Sequence, residues 1–452
     1  MIDKYAIAIF LIALAIASAA VFLDPVRWWD ETVYGSLGWN LHNNPFDYSF
    51  NKFDDNSKDY PGQAGFRAPL LPYMISVAYS ISENFPVEFI VPLFSALGSV
   101  ALYFLCLQFF SRKVSAFAAL LLAIIPMHAY YSGKIMTDVF STTVATFTIL
   151  AFWIGFEKGS NKVKIVTGAL LALTILARYT WIWLPAALFL YLLIRDRNLK
   201  FIDRYFVFSA FVFFVVLLPW FWYGQEVYGT PLGPILHASK AVTYWGGLQP
   251  WNFYFTYFPQ MFSLGIAAAG TIGLFFMLKN RDNFTLLVLL WIAFSLAVAM
   301  VSPHKEDRFL MSLTPALAIA ATVGISSIKK YFVPISLIVI LIAALTLGAS
   351  FYYTMKTSYR TDSQCYIDAM KFLQGIENNA VVLTVNSPVV YFYTHKETAY
   401  APQDQSELKQ KAAQYDKPVY YLASKYDGAK DFRLGKEPSG GCAGSVSIAK
   451  LG

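Results

Sequence analysis

Four short stretches of this chain gather carboxylates and cations at the edges of apolar blocks. Asp30 and Glu31 follow Trp28-Trp29 just after the first apolar run. A carboxylate held there could take a proton from an acceptor hydroxyl or amine. Two solvated carboxylates beside an aromatic belt would read the same way. Gly65-Phe66-Arg67-Ala68-Pro69 closes the same polar segment. Arg67 is a planar fork suited to a pair of phosphate oxygens, or a snorkelling arginine. Asp138 opens another apolar run behind Tyr131-Ser132-Gly133-Lys134. It is either a helix cap or a third carboxylate of the site, with Lys134 as a possible partner. His304-Lys305-Glu306-Asp307-Arg308 stands between two apolar walls. It reads as a salt-bridged loop or as an anion site built from Lys305 and Arg308. His304 alone is weak support for a metal. Cations suit a phosphate and carboxylates suit an acceptor, which together describe group transfer from a lipid-linked phosphate. A transporter would set its charges near the bilayer midplane, whereas most of these lie at one rim.

The elements that must position these residues are set by composition. Of 452 residues, 57% are hydrophobic and only 14% charged. Soluble domains carry about 25% charged residues, so this chain cannot coat a globular surface. Disordered, collagenous and disulfide-scaffold classes are excluded. The apolar blocks have membrane length, which makes the protein polytopic. The net charge of +7 sits largely in short loops and reports topology, not nucleic acid.

Tyr5–Leu23 is expected to be an uncleaved anchor, although Ala17-Ser18-Ala19-Ala20 faintly resembles a cleavage site. The segment 24–88 is expected on the extracytoplasmic side, with Pro69–Ile81 as an interfacial helix. Ten further spans are expected at about 89–110, 114–131, 138–156, 163–177, 181–194, 205–222, 259–278, 284–302, 309–327 and 332–349. The connecting loops holding Arg112 and Lys113, Lys158 to Lys164, Arg195 to Arg204, Lys279 and Arg281, and Lys329 and Lys330 then all fall inside. The 30 residues Ile165–Ile194 lie between two such basic loops. They must cross and return, yet two full spans need about 40 residues. The tip at Ala177-Arg178-Tyr179-Thr180 is therefore expected to stop within the membrane depth, against protein or a wet cavity.

The last hundred residues change character. Helices are expected at 361–376 and 406–415 and strands at 380–385 and 419–423, with 387–394 ambiguous. This alternation predicts a small extracytoplasmic α/β domain over 350–452, after a membrane domain over 1–349 that includes the loop 24–88. Cys365 and Cys442 could pair there or stay as thiols; Cys106 reads as packing. The segment Tyr223–Phe258, with Tyr244-Trp245-Gly246-Gly247 and Gln249-Pro250-Trp251-Asn252, suits sugar rings or the membrane interface. No Walker loop, dinucleotide fingerprint, HExxH or paired CxxC is present.

These residues also carry a family likeness. The chain resembles the GT-C glycosyltransferases, in the branch of the protein O-mannosyltransferases and lipid A aminoarabinose transferases. Asp30-Glu31-Thr32-x-Tyr34 is similar to that branch's Asp-Glu motif, which implies Asp30 as catalytic base. Phe66-Arg67-Ala68-Pro69-Leu70 looks like its Lys-Pro element, with Arg for Lys, which implies Arg67 on the lipid phosphate. Asp138 resembles the second acidic residue. Leu176-Ala177-Arg178 before Leu184-Pro185 resembles the Thr-Lys…Leu-Pro hairpin. His304-Lys305-Glu306-x-Arg308-Phe309 is similar to a motif of lipid-linked mannosyltransferases.

The resemblance implies an α-helical GT-C membrane fold with about eleven spans. It implies a hexosyl or pentosyl transferase that moves a sugar, with inversion, from a dolichyl or undecaprenyl phosphate to an extracytoplasmic protein, lipid or glycan. Asp30, Glu31 and Asp138 would be catalytic. Arg67, Arg178, Lys305 and Arg308 would hold the donor phosphate. No metal or other cofactor and no nucleic-acid partner are expected. The alternatives are a lipid-linked sugar flippase and an oligosaccharyltransferase.

Overall fold

A computed structural model of the protein describes residues 3–49, 65–245, 248–280, 282–426, 428, 430, 432, 442 and 444–451. Arg281, Gly246, Gly247 and residues 50–64 of the long loop lie outside the described residues. In chain order the helices are α1 (Lys4–Val21), α2 (Trp29–Asn43), α3 (Leu70–Ile81), α4 (Ile90–Cys106), α5 (Arg112–Ile124), α6 (Pro126–Ser132) and α7 (Thr137–Phe152). They continue with α8 (Asn161–Ala177), α9 (Leu184–Arg195), α10 (Arg204–Tyr228), α11 (Gly233–Trp245), α12 (Phe253–Phe262), α13 (Leu264–Lys279), α14 (Asn283–Val301), α15 (Thr314–Ser326) and α16 (Phe332–Ser358). The tail holds α17 (Thr361–Gln374), β1 (Val381–Thr384), α18 (Ser387–Thr394), β2 (Glu397–Tyr400), α19 (Gln405–Ala412), β3 (Val419–Ser424) and β4 (Val446–Lys450).

Among the described residues, seven helices are long and apolar enough to cross a membrane, and nine if each of two bent pairs is one span. The chain is thus a multi-pass membrane protein. The bends have local causes. Ile125 precedes Pro126 and leaves the helical region at φ −57° and ψ 119°, because proline disfavours helix in the residue before it. Ser263 sits at φ 65° and ψ 138°, which breaks α12 from α13 by 111°. Of the eleven expected spans, the remaining two are α8 and α9, with 17 and 12 residues. Both are too short to be full spans, and the 3-10 turn Tyr179–Trp183 joins them.

The chain divides into two compact units. The first comprises Met1–Val21, Ala68–Leu70 and Glu88–Phe351. Its helices approach through small residues: a Cβ on Gly273 would stand 1.7 Å from the Ala320 carbonyl oxygen, and one on Gly324 2.3 Å from that of Ala269. This lets α13 and α15 touch backbone to backbone, as membrane helices do where no hydrophobic effect drives them together. Between α7 and α8 the Thr148 and Thr174 hydroxyls share a hydrogen bond of 2.8 Å. Cys106 is a buried free thiol.

The second unit comprises Phe22–Arg67, Leu71–Val87 and Tyr352–Gly452. By compactness, therefore, most of the loop 24–88 groups with the tail. The reason is specific packing of α2 on α18. Tyr391 Oη donates to Asn40 Oδ1 at 2.5 Å, Tyr393 Oη accepts from the Arg27 backbone N–H at 3.0 Å, and Gly35 lies against the Phe392 ring. The tail sheet has four strands in the order β2-β1-β3-β4, parallel except for β3–β4. Successive side chains of a strand alternate between faces. Val382 joins a core with α17 and α18, while Val381 and Leu383 join another with Leu408 and Ala412 of α19. Cys365 and Cys442 form a disulfide within the first of these cores.

Candidate active site

In the second unit the sequence candidates meet at the start of α2. Trp28 precedes the helix, so Asp30 and Glu31 fall in its first turn, where the helix dipole favours negative charge. The two carboxylates do different work. Glu31 is fully buried and its Oε2 accepts from the Trp28 backbone N–H at 2.9 Å, a reach-back that caps the helix. Arg27 stands 3.9 Å from its other oxygen. Asp30 instead accepts a hydrogen bond from Arg67 Nη2 at 2.6 Å, and both side chains keep about a quarter of their surface open, 21% and 26%.

Arg67 is positioned by its neighbours. Tyr48 Oη donates to the Arg67 carbonyl at 3.0 Å, and the Gly65 N–H to the Tyr48 carbonyl at 2.6 Å. A side chain at Gly65 would collide with the Tyr48 ring at 2.7 Å. The guanidinium carbon lies 5.7 Å from the Tyr34 ring centroid and 5.4 Å from that of Phe66, within cation–π range. Tyr34, quoted in the motif without a role, thereby acquires one.

The first unit gathers the other candidates from three segments. Asp138 lies in the first turn of α7 and its side chain is fully buried. At the end of α8 the backbone of Arg178 becomes extended, and Tyr179–Trp183 then forms a 3-10 turn. This swings Arg178 Nη1 to 3.0 Å from Asp138 Oδ1 and to 3.0 Å from Thr137 Oγ1. Trp181 anchors the turn, donating its Nε1–H to Ser141 Oγ at 3.1 Å. The arginine at the hairpin tip and the carboxylate at the start of α7 thus form one ion pair.

The segment 302–309 completes this group. Arg308 Nε donates to Glu306 Oε2, and its Nη1 lies 3.8 Å from Met136 Sδ. His304 Nε2 lies 2.8 Å from Glu306 Oε1. Burial pushes the Glu306 carboxyl up, but hydrogen bonds from Arg308 and His304 hold it below the usual carboxylate value. Tyr131 Oη donates to Asp307 Oδ1 at 2.8 Å, and the Phe309 ring faces the Arg178 guanidinium at 5.9 Å. Lys305 is buried, with its ammonium donating to the Ser302 carbonyl at 2.8 Å. Lys134 is fully buried, its ammonium 5.1 Å from the Tyr130 ring centroid. Among the described residues no group of three or more His, Cys, Asp or Glu side chains could hold a metal ion.

Residues 66–223 match the family model for dolichyl-phosphate-mannose-protein mannosyltransferase. That window contains Arg67, Asp138 and Arg178. Among solved structures, ArnT from Cupriavidus metallidurans in the apo state superposes with a TM-score of 0.73 at 14% identity, covering 99% of this chain and 97% of that one. The same protein bound to undecaprenyl phosphate gives 0.70 at 13% identity, covering 99% and 98%. The oligosaccharyltransferase AglB from Archaeoglobus fulgidus, in complex with an inhibitory peptide and a dolichol-phosphate, gives 0.66 at 13% identity, covering 93% of this chain and 69% of that one. No curated protein sequence matches. Residues 66–223 thus match that family model, and the chain as a whole has the fold of ArnT.

Proposed function

We propose that this protein is an integral membrane glycosyltransferase that moves a hexosyl or pentosyl group from a polyprenyl phosphate to an extracytoplasmic acceptor. The observation that carries the reading is the Asp30–Arg67 pair at the start of α2. It sets a carboxylate that can accept a proton beside a guanidinium that can hold a phosphate. Two proteins with this fold support the carrier class: ArnT was solved with undecaprenyl phosphate and AglB with a dolichol-phosphate.

In the reaction, Asp30 takes the proton of the acceptor hydroxyl or amine. The acceptor attacks the anomeric carbon from the face opposite the phosphate. The bond from that carbon to the phosphate oxygen breaks, its electron pair leaves with the polyprenyl phosphate, and the configuration inverts. Arg67 holds the charge that develops on the leaving phosphate. Glu31 and Asp138 act through others, Glu31 by capping the helix that carries Asp30 and Asp138 by orienting Arg178. The basic loops and the odd number of expected spans put the second unit on the extracytoplasmic side.

The test is transfer by the purified protein in detergent, with a radiolabelled polyprenyl-phosphate sugar and an extract of acceptors. Covalent transfer without a second compartment supports the enzyme. Movement of donor across liposomes without transfer supports a flippase and refutes it. Likeness to AglB favours a second reading, an oligosaccharyltransferase, which predicts strict dependence on a divalent cation. The first reading predicts turnover unchanged by EDTA.

A further inference from the structure

We propose that the tail of the second unit positions the catalytic base, with Tyr391 and Tyr393 of α18 as positioning residues that hold the helix bearing Asp30 at both of its ends. The inference rests on the glycosyl-transfer reading above and adds to it residues that act through α2.

The tail grips the segment 22–40 along its length. Ahead of α2, Tyr359 Oη donates to the Phe22 carbonyl at 2.7 Å and Ser358 Oγ to Asp24 Oδ1. Val26 is buried in the tail's own core, with Tyr366, Met370 and Val390. Tyr393 Oη accepts the Arg27 backbone N–H at 3.0 Å. Along α2, Gly35 lies against the Phe392 ring, where any Cβ would collide. One turn further on the same face, the Trp39 and His395 rings stack, 4.0 Å between centroids and 15° from parallel. His395 ends α18 in the left-handed region at φ 53°, a conformation that a non-glycine residue keeps where its surroundings fix it. Tyr391 Oη donates to Asn40 Oδ1 at 2.5 Å, and Asn40 gives its own amide N–H to the Ser49 carbonyl at 2.6 Å.

These contacts bracket Asp30, because Arg27 precedes it in the chain and Asn40 follows it. Two hydroxyls on one short helix thus tie down both ends of another. The buried side of α2 mixes Glu31, Thr32, Ser36 and Asn40 with apolar residues. Hydrophobic burial is non-directional and would let such a helix slide or turn, whereas hydrogen bonds of fixed length set its register. A general base must stand within about 2.6–3.2 Å of the proton it takes. A displacement of about 1 Å, caused far from the chemistry, can cost about 10²-fold in rate. Loosening the grip of α18 on α2 therefore slows the chemical step and leaves lipid phosphate binding in place.

The experiment compares full-length wild type, Tyr391→Phe/Tyr393→Phe and Leu408→Ala in nanodiscs. It measures the transfer rate at saturating polyprenyl-phosphate sugar, undecaprenyl phosphate binding by native mass spectrometry, and melting temperature. Leu408 is buried in the core on the other face of the tail sheet, which among the described residues includes nothing from 22–43. Leu408→Ala is expected to melt lowest, as a cavity in a core does, yet to transfer near the wild-type rate below its melting point. The double tyrosine variant is expected to lose about tenfold in rate, with lipid phosphate affinity within about twofold and melting within about 4 °C of wild type. Gly35→Ala, which drives a methyl into the Phe392 ring, and Gly35→Ala/Phe392→Leu, which relieves it, test the same contact by packing. Rate lost in the first is expected to return in the second. A wild-type rate in the double tyrosine variant, or a rate that follows melting temperature through every variant including Leu408→Ala, overturns the positioning role and leaves the glycosyl-transfer reading intact. Absence of transfer by wild type overturns both.

Discussion

Replacing Asp138 by alanine removes the counter-charge of Arg178 and leaves a guanidinium inside the first unit. The cost can be worked from the pair's geometry. Arg178 Nη1 stands 3.0 Å from Asp138 Oδ1, the carboxylate side chain is fully buried, and the arginine is 18% exposed. At an effective dielectric of about 20, two unit charges at that separation attract by about 5.5 kcal/mol. Desolvation of both groups offsets much of this, so the net worth of the pair is smaller. Breaking such a pair by removing one member nevertheless costs about 3–5 kcal/mol, because the other charge stays behind. Arg178 keeps the Thr137 hydroxyl at 3.0 Å, which argues for the lower end, about 3 kcal/mol. Asp138→Ala is therefore expected to be less stable than the double variant Asp138→Ala/Arg178→Met, in which the guanidinium is removed together with its carboxylate. Steric trapping in bicelles reads these free energies on the intact membrane protein, and a double-mutant cycle isolates the pair from other contacts. A coupling of about 2 kcal/mol is expected. Strictly additive single variants would refute the claim that the hairpin tip is held by this ion pair.

Asp30→Asn should fold and insert but lose about 10²–10⁴-fold in transfer rate, as for removal of a general base; saturating kinetics near the wild-type rate would remove Asp30 from the mechanism. Gly273→Val should lower thermal stability by more than Gly348→Val, since a Cβ at Gly273 meets the Ala320 carbonyl at 1.7 Å and one at Gly348 meets nothing within 4 Å; equal melting temperatures would argue against close backbone packing of α13 and α15. Hydrogen bonds from Lys450, its own backbone N–H and Tyr420 hold the Glu377 carboxyl down to about 2. Because the folded value lies below the ordinary 4.5, its stabilisation is complete above that pH and is lost as pH falls towards 2. Melting curves across that window should be flatter for Glu377→Gln. Cysteines placed at the exposed positions Asn44 and Lys425, in a Cys106→Ala background, should both react with an impermeant maleimide from outside; reaction of only one would break the topology.

What could be read in advance followed from strong local constraints. Basic loops on both sides of Ile165–Ile194 required the chain to turn back between them, and α8 ends just before Arg178. Strands β1 and β3 are apolar runs, and their positions differ from the expected ones by a residue or less at each end. β2 and β4 escaped notice because Glu397–Tyr400 and Val446–Lys450 mix polar and apolar residues over four or five positions. Such strands are defined by a neighbour's backbone more than by their own side chains. Helix α2 was missed for a related reason: its buried face includes Glu31, Thr32, Ser36 and Asn40, so no apolar stripe marks it. The Glu three residues after Trp28 was a signal that could have been used, since a glutamate at that position reaches back to cap a helix. Nothing local announced that Asp30 and Arg67, 37 residues apart, would bond.

The packing of α2 on α18 carries a consequence for biogenesis. Asn40 receives its hydrogen bond from Tyr391, 351 residues later in the chain. At about 5–20 residues per second, the ribosome takes roughly 20–70 s to make the distance between them. Throughout that interval the helix bearing Asp30 has been synthesised but has no α18 to lean on, while span after span enters the bilayer. The first-made part of the second unit must therefore wait, unassembled, for the last-made part. A nascent chain halted before Ser387 should leave Asp30 and Glu31 open to protease, and the same residues should become protected only when the tail emerges.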